Sequence, residues 1–379
     1  MPEKFVSVVL PSLNEELTVG DTIRRVKESF EKHNVNGEIL LIDASSTDRT
    51  VDIAKELGAK VHIVPKVGLG YQYMRSIELI RGDYVVMGDS DGTYDFMELD
   101  RFINKLDSGF DFVMGTRLKG NIHKGAMPWK NRYIGTPLLT FFINTFYKTG
   151  ISDCNSGLRA ITLNALKIIG IDSLGWEYAS EMVVKAKLAG LKITEVPVSL
   201  FPDQKGRKPH LTPWRAGWEN MKTIWMLASE TLFLKLGFVL WLLGFIILIS
   251  QIRGGIMIGS EYFGTFYMFL GLILTIISTF IIQMGILVQN FSYLSKFKKN
   301  KISNWFKSKF SFEKGIITSM LLSIAGFALL LYIFFHWLKV SAITFNEVKL
   351  VIYSIFFLIS GIQIVFFSFV FYLFNKDMK

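Results

Sequence analysis

Four long stretches almost without charge, at about 231–252, 263–290, 315–338 and 350–374, limit what this chain can fold into more than any other feature. Each is roughly 20 residues or longer, and at ~1.5 Å rise per residue a helix of that length crosses a hydrocarbon core of about 30 Å. Helices buried in a water-soluble core are usually shorter and striped with polar positions, so four membrane spans are expected. Half of all residues are hydrophobic and 14% are aromatic, too apolar for an ordinary water-soluble enzyme. That excess lies after residue 230, whereas residues 1–230 carry charge throughout. The expected organisation is a globular α/β domain over 1–205, an interfacial segment over 206–230 and a membrane domain over 231–379.

The net charge of +10 follows the same division. Between the second and third spans, "SKFKKNKISNWFKSKFSFEKG" carries seven lysines from Lys296 to Lys314 against one acid, Glu313. A short lysine-rich loop marks the cytoplasmic side, and the segments 253–261 and 339–347 are much less basic. With four spans, residues 1–230 and the C-terminal "NKDMK" are then also expected in the cytoplasm. The basic balance is read as topology and contact with anionic lipid, and no basic–aromatic pattern points to nucleic acid. Cys154 is the only cysteine, which excludes an internal disulfide and agrees with a reducing compartment. The N-terminus opens directly on a strand-like pattern, so no signal peptide is expected.

Within the first 230 residues apolar strands alternate with helical patterns. "FVSVVL" (5–10), "EILLID" (38–43), "KVHIV" (60–64), "DYVVM" (83–87) and "DFVMGT" (111–116) read as strands, with helices near 15–33, 48–57 and 69–80. This order implies a mostly parallel, Rossmann-like sheet with right-handed crossovers. Ligands of such sheets bind beyond the carboxyl ends of the strands. Three of those ends carry polar clusters, "PSLNEE" (11–16), "DASSTD" (43–48) and "GDSDGTYD" (88–95), which should converge on one crevice.

The last cluster holds the sharpest signal. Asp89 and Asp91 stand one residue apart just after an apolar run, and two acids so close repel unless a cation or a proton lies between them. Carboxylate oxygens suit Mg²⁺ or Mn²⁺, which keep further positions for phosphate oxygens. Asp95 fits a helix cap better than a ligand. "DSDGT" also spells the nucleophile loop of a phosphatase class, but that loop normally follows the first strand and needs a second acidic pair, which nothing after residue 95 supplies.

"VVLPSLNEE", "LLIDASSTDRT", "GDSDG", "DFVMGTR" and "DCNSGLRA" (153–160), taken in order, resemble a family 2 glycosyltransferase of GT-A fold. More narrowly, the chain resembles the polyprenyl-phosphate glycosyltransferases, the dolichyl-phosphate mannose and glucose synthase group. The resemblance implies transfer of a hexose from a nucleotide-diphosphate sugar, UDP- or GDP-linked, to a polyprenyl or dolichyl phosphate. It implies Asp89 and Asp91 as ligands of Mg²⁺ or Mn²⁺. It assigns Pro11, Leu13, Glu15, Ile42, Asp43, Ser90 and Glu181 to nucleotide-sugar binding, together with the acid pair. Arg117 in "GTR" and Arg132 in "WKNR" match its phosphate-binding arginines.

The basic loop "FPDQKGRKPHL" (201–211) adds Arg207 and Lys208 as lipid-phosphate contacts. Two positions depart from the group's pattern. Thr93 stands where mannose synthases carry a metal-reaching Gln, and Ala44 replaces a second acid beside the base. Uridine and guanosine therefore both stay open.

Two segments lead toward the membrane. "PLLTFFINTFYKTG" (137–150) is helix-length and apolar but too short to span, and is expected to lie at the interface. Trp214, Trp218 and Trp225 fall on one helical face before the first span, where indoles anchor at headgroup level. A processive polysaccharide synthase is the enzymatic alternative, disfavoured because its Gln-x-x-Arg-Trp helix is absent. A transporter or scaffold with a degenerate transferase domain is the non-enzymatic one. Four spans exceed what anchoring needs, and oligomerisation is one use for them.

Overall fold

The structure is a computed structural model and describes residues 4–207, 213–228, 230–250, 256–258, 261–291, 305–306, 308–340 and 345–376. It divides into two compact units, Met1–Leu227 and Ala228–Lys379.

In the first unit seven strands form one sheet: β1 (Val6–Ser12), β2 (Gly37–Asp43), β3 (Lys60–Ile63), β4 (Tyr84–Met87), β5 (Phe112–Thr116), β6 (Arg159–Thr162) and β7 (Ile193–Pro197). Their order is β3-β2-β1-β4-β6-β5-β7. Every pairing is parallel except those of β6, which runs antiparallel to both β4 and β5. The mostly parallel sheet agrees with the sequence, and the antiparallel β6 adds a strand that periodicity did not mark. β6 reads "RAIT", too short for a period of two to stand out.

The helices of this unit are α1 (Val19–His33), α2 (Thr50–Glu56), α3 (Leu69–Ser76), α4 (Leu99–Asp107), α5 (Thr136–Tyr147), α6 (Leu163–Ile169), α7 (Tyr178–Leu188) and α8 (Pro213–Leu227). Helix α1 shows why they dock. Val19, Ile23 and Val26 fall on one face and are buried against the sheet, while its polar face stays in water. It ends at Asn34, whose left-handed backbone closes the last turn onto the Glu31 and Phe30 carbonyls. The Thr162 hydroxyl accepts from the Ala165 N–H and starts α6 directly at the end of β6.

Two features depart from a water-soluble surface. Phe141 and Leu138 of α5 are exposed, as are Trp129, Tyr133 and Ile134 just before it. On α8, Trp214 is 88% exposed and Trp218 and Trp225 are also open, with the last two in edge contact at 6.0 Å. Basic groups interleave with the first set: Lys130 Nζ lies 5.9 Å from the Trp129 ring centre and Arg132 Cζ 5.4 Å from that of Tyr133.

The second unit holds α9 (Leu236–Ser250), a short pairing of β8 (Ile256–Ile258) with β9 (Glu261–Phe263), then α10 (Thr265–Phe291), α11 (Phe312–Val340) and α12 (Phe345–Lys376). Four segments are long and apolar enough to cross a membrane: Leu232–Ser250, Phe266–Gln289, Phe312–Val340 and Glu347–Phe374. Many large apolar side chains are exposed on these helices, while Met268, Ile352, Phe367 and Phe371 are buried between them together with small residues such as Ser278, Ser354 and Ser368. A Cβ at Gly244 would come within 3 Å of the Thr275 backbone, and one at Gly326 within 3 Å of Leu358 and the Ser354 carbonyl. That close approach of backbones is how helices associate where lipid removes the hydrophobic drive. Tyr353 donates to the Leu248 carbonyl at 2.8 Å, which links α12 to α9.

Candidate active site

The chain runs outward from β1 through β2 to β3 and then returns to place β4 on the other side of β1. This reversal opens a crevice at the carboxyl ends of β1 and β4. A cleft of about 780 Å³ occupies that place. Its walls include Pro11 at the end of β1 with Leu13 and Glu15 after it, Asp89, Ser90 and Asp91 after β4, and Arg117 after β5.

The loops after β1 and β2 are laced together. Asn14, at a left-handed φ of 53°, accepts from the Thr47 N–H and donates its own N–H to Ser46 Oγ at 2.8 Å. The Glu15 N–H donates to Thr50 Oγ1 at 2.8 Å. The β4 exit is tied to β1 by Ser90 Oγ, which donates to the Pro11 carbonyl at 2.7 Å. Gly92 turns the chain at a φ of +75°, a conformation costly for any residue with a Cβ.

The two aspartates are held differently. Asp91 Oδ1 accepts from the Thr93 N–H and hydroxyl at 3.0 and 2.6 Å, leaving Oδ2 toward Arg207 Nη2 at 3.3 Å. Thr93 thus orients Asp91. Asp89 takes no hydrogen bond from the described residues, and Gly157 packs so close that a Cβ there would collide with its carboxylate. Burial, and then the charge of Asp91, push the Asp89 carboxyl up to about 7. Burial raises Asp91 as well, against the opposing pull of Arg207 and the Thr93 hydrogen bonds.

Among the described residues no group of three or more His, Cys, Asp or Glu side chains is placed to hold a metal. The pair fits a divalent cation nonetheless. It presents one carboxylate with no hydrogen bond or ion pair among the described residues beside another whose second oxygen already faces a cation, and two protein ligands leave positions for phosphate oxygens.

Two arginines face this wall in opposite conditions. Arg117 is locked to the fully buried Asp153, with Nε to Oδ2 at 2.7 Å and Nη2 to Oδ1 at 2.8 Å. Burial alone would weaken its charge, but Asp153 keeps it above the ordinary arginine value, and the same pairing holds Asp153 low against burial. Arg117 lines the cleft, and no hydrogen bond of its Nη1 is found among the described residues. Arg207 instead commits all three nitrogens to carboxylates: Nε and Nη2 to Glu15 at 2.8 and 2.7 Å, Nη2 also to Asp91, and Nη1 to Asp203. Beneath the floor, Arg159 is fully buried, stacked 5.2 Å from the Tyr178 ring centre, with Nε unpartnered among the described residues.

The sequence matches two descriptions of known families. Residues 7–169 match "Glycosyl transferase family 2" and residues 286–375 match "Glycosyltransferase family 2 C-terminal transmembrane region". The low-salt glycan biosynthesis hexosyltransferase Agl6 of Haloferax volcanii is 36% identical over 324 residues, covering 85% of this chain and 78% of that protein. The chain belongs to glycosyltransferase family 2. Glycosyltransferase AglJ of the same organism is 31% identical over 214 residues, 56% of this chain and 68% of its own. Among solved structures, a glucosyl-3-phosphoglycerate synthase of Mycobacterium tuberculosis is 21% identical, covers 60% of this chain and 80% of its own, and has a TM-score of 0.49.

The family 2 glycosyltransferase therefore has a GT-A catalytic fold followed by membrane helices, and is an integral membrane protein. Of the residues singled out in the sequence, Pro11, Leu13, Glu15, Asp89, Ser90, Asp91, Arg117 and Arg207 line one cleft. Four others lie outside its lining. Ile42 is fully buried in β2. Asp43 spends its carboxylate on Ser12 Oγ and on the Ser46 N–H and hydroxyl. Glu181 pairs with Lys185 and accepts from the Asp172 and Ser173 N–H groups. Arg132 is exposed on the turn before α5, although its neighbours Asn131 and Gly135 reach the cleft. Lys208 lies outside the described residues. The sequence reading passed over Gln72, Tyr178 and Asn220, which line the cleft from α3, α7 and α8 at positions that no motif marks.

Proposed function

We propose that this glycosyltransferase is an inverting hexosyltransferase that moves a sugar from a UDP- or GDP-linked donor to a polyprenyl or dolichyl phosphate. One observation carries the reading: the acid pair Asp89 and Asp91 faces a cleft whose other wall offers the fixed cation Arg117. A hexosyl donor is supported by the hexosyltransferase name of the relative Agl6. A lipid acceptor is supported by the exposed aromatic side chains of α5 and α8 and by the aromatic and basic groups of residues 129–133 just before α5, which suit headgroups and interfacial chains.

Asp89 and Asp91 would hold Mg²⁺ or Mn²⁺, which supplies Lewis-acid stabilisation to the diphosphate as it leaves. Pro11, Leu13 and Glu15 line the nucleotide. The lipid phosphate is already an anion and needs no strong base. It needs positioning, and Arg117 provides this through Nη1 while Asp153 fixes its plane. Arg207 exchanges Asp91 for a phosphate oxygen when substrates enter, with Arg132 and Lys208 as further phosphate contacts. Attack opposite the leaving diphosphate inverts the anomeric carbon.

The lysine-rich segment 296–314 supports a cytoplasmic catalytic unit, with both termini on the same side. The test is to give the purified full-length protein a panel of nucleotide sugars, Mg²⁺ or Mn²⁺, and polyprenyl phosphate. A lipid-linked sugar from one donor is expected, and none from any donor would sink the proposal.

A further inference from the structure

We propose that Gln72 reads the base of the donor nucleotide by accepting a hydrogen bond from a ring N–H, so that uracil or guanine is taken over cytosine or adenine. The inference rests on the nucleotide-sugar reading given above and deepens it.

Gln72 lies in α3 and is only 5% exposed, yet it lines the cleft beside Ser12, Ala44 and Lys66. This is the wall formed by the ends of β1 and β2, on the side of β1 away from the acid pair that follows β4. Its Nε2 donates to the Ser12 carbonyl at 2.9 Å and to the Ile42 carbonyl at 2.6 Å. A side-chain amide has two N–H groups, and both are spent on neighbouring strand ends. Turning the amide over would set Oε1 against two carbonyl oxygens, so its orientation is fixed.

The helix itself cannot swing. The Gly70 and Tyr71 N–H groups donate to the Gly175 and Leu174 carbonyls at 3.2 and 3.1 Å, and a Cβ at Gly68 or Gly70 would collide with the 173–175 backbone. Gln72 Oε1 has no partner among the described residues, so the amide offers the cleft an acceptor and no donor. Asp43, at the end of β2, is fully buried, lies outside the cleft lining and accepts three hydrogen bonds from Ser12 and Ser46.

An acceptor fixed in this way discriminates between bases. Uracil N3 and guanine N1 carry a hydrogen next to a carbonyl, and Lys66 on the same wall can donate to that carbonyl. Cytosine N3 and adenine N1 are bare acceptors, which would face Oε1 lone pair to lone pair. A buried polar group left unpaired rejects the wrong ligand strongly.

The test is calorimetric titration of the full-length protein in detergent with Mn²⁺ and UDP, GDP, CDP, ADP, N3-methyl-UDP and N1-methyl-GDP. UDP or GDP is expected to bind about 10- to 100-fold more tightly than CDP and ADP, with ring N-methylation removing the advantage. Gln72→Ala should bring the preferred nucleotide down to the CDP level while leaving pyrophosphate affinity unchanged. The methylated ligands test the same point on the unaltered protein if that variant fails to fold. Equal affinity for all four bases, or undiminished binding of the methylated ligands, overturns the role of Gln72 and leaves the nucleotide-sugar reading standing. Binding of none of them overturns both.

Discussion

The two walls of the cleft are built by opposite means. The acid wall, Pro11 to Glu15 and Asp89 to Asp91, follows directly on two parallel strands that lie side by side. The wall around Arg117 gathers Asn155 and Gly157 before β6, the start of α5, and Ala216 to Asn220 of α8. Its charge is paired from within by a buried aspartate, whereas on the acid wall burial and Asp91 outweigh the more distant arginines and keep the Asp89 carboxyl raised. One wall holds a finished ion pair and the other a carboxylate with no ion-pair partner among the described residues.

The comparison can be broken most forcefully at Asp153. Replacing it by alanine leaves the Arg117 guanidinium buried without its partner, and a loss of about 3–5 kcal/mol in stability is expected. Denaturant unfolding of the full-length protein followed by tryptophan fluorescence measures it. An unchanged midpoint would mean that the pair is ornamental.

On the acid wall, Asp91→Ala should lower Mn²⁺ affinity by at least about 100-fold with little change in folding, because even outer partners of metal ligands are worth 10- to 100-fold. Paramagnetic resonance of free Mn²⁺ reads this directly, and retained affinity would remove Asp91 from the metal site.

The smallest effect is that of pH. Since the Asp89 carboxyl is pushed up to about 7, a proton should compete with the cation below that value and lower Mn²⁺ affinity by roughly tenfold per pH unit. For metal-free protein the sign reverses. A carboxyl raised in the fold favours the folded state at low pH, and that stability is lost as pH climbs from the ordinary carboxylate range of about 4 through 7. Thermal unfolding with and without Mn²⁺ across this window would sharpen the contrast, and identical curves would argue that Asp89 is ionised without help.

The acid wall was legible in the sequence because its residues are consecutive and sit at strand ends that hydrophobic runs make visible. The four membrane helices were legible for a similar reason, since length and composition decide them locally. Of the other wall, Arg117 and the "DCNSGLRA" stretch were legible through the resemblance, but not how they come together, because that depends on β6 entering the sheet antiparallel between β4 and β5. That pairing brings Arg159 opposite Met87 and Met114, contacts that no local period encodes. Family resemblance pointed to Asp43 and Glu181 at ligand positions, yet in this chain nearby donors absorb both carboxylates. Gln72 left no mark at all, because a single amide in "LGYQYMR" gains meaning only from the two carbonyls it meets.

The placing of the sheet ahead of the spans along the chain also orders the making of the protein. The last strand of the sheet ends at Pro197, and the first span begins at Leu232. Domains fold as units while the chain is still being synthesised, starting from the N-terminal side. All seven strands therefore precede the four apolar spans in synthesis, and among the described residues α8 is the last piece of the cleft to be made. Assembly of the sheet is thereby separated from insertion into the bilayer, and a fault in one need not propagate to the other.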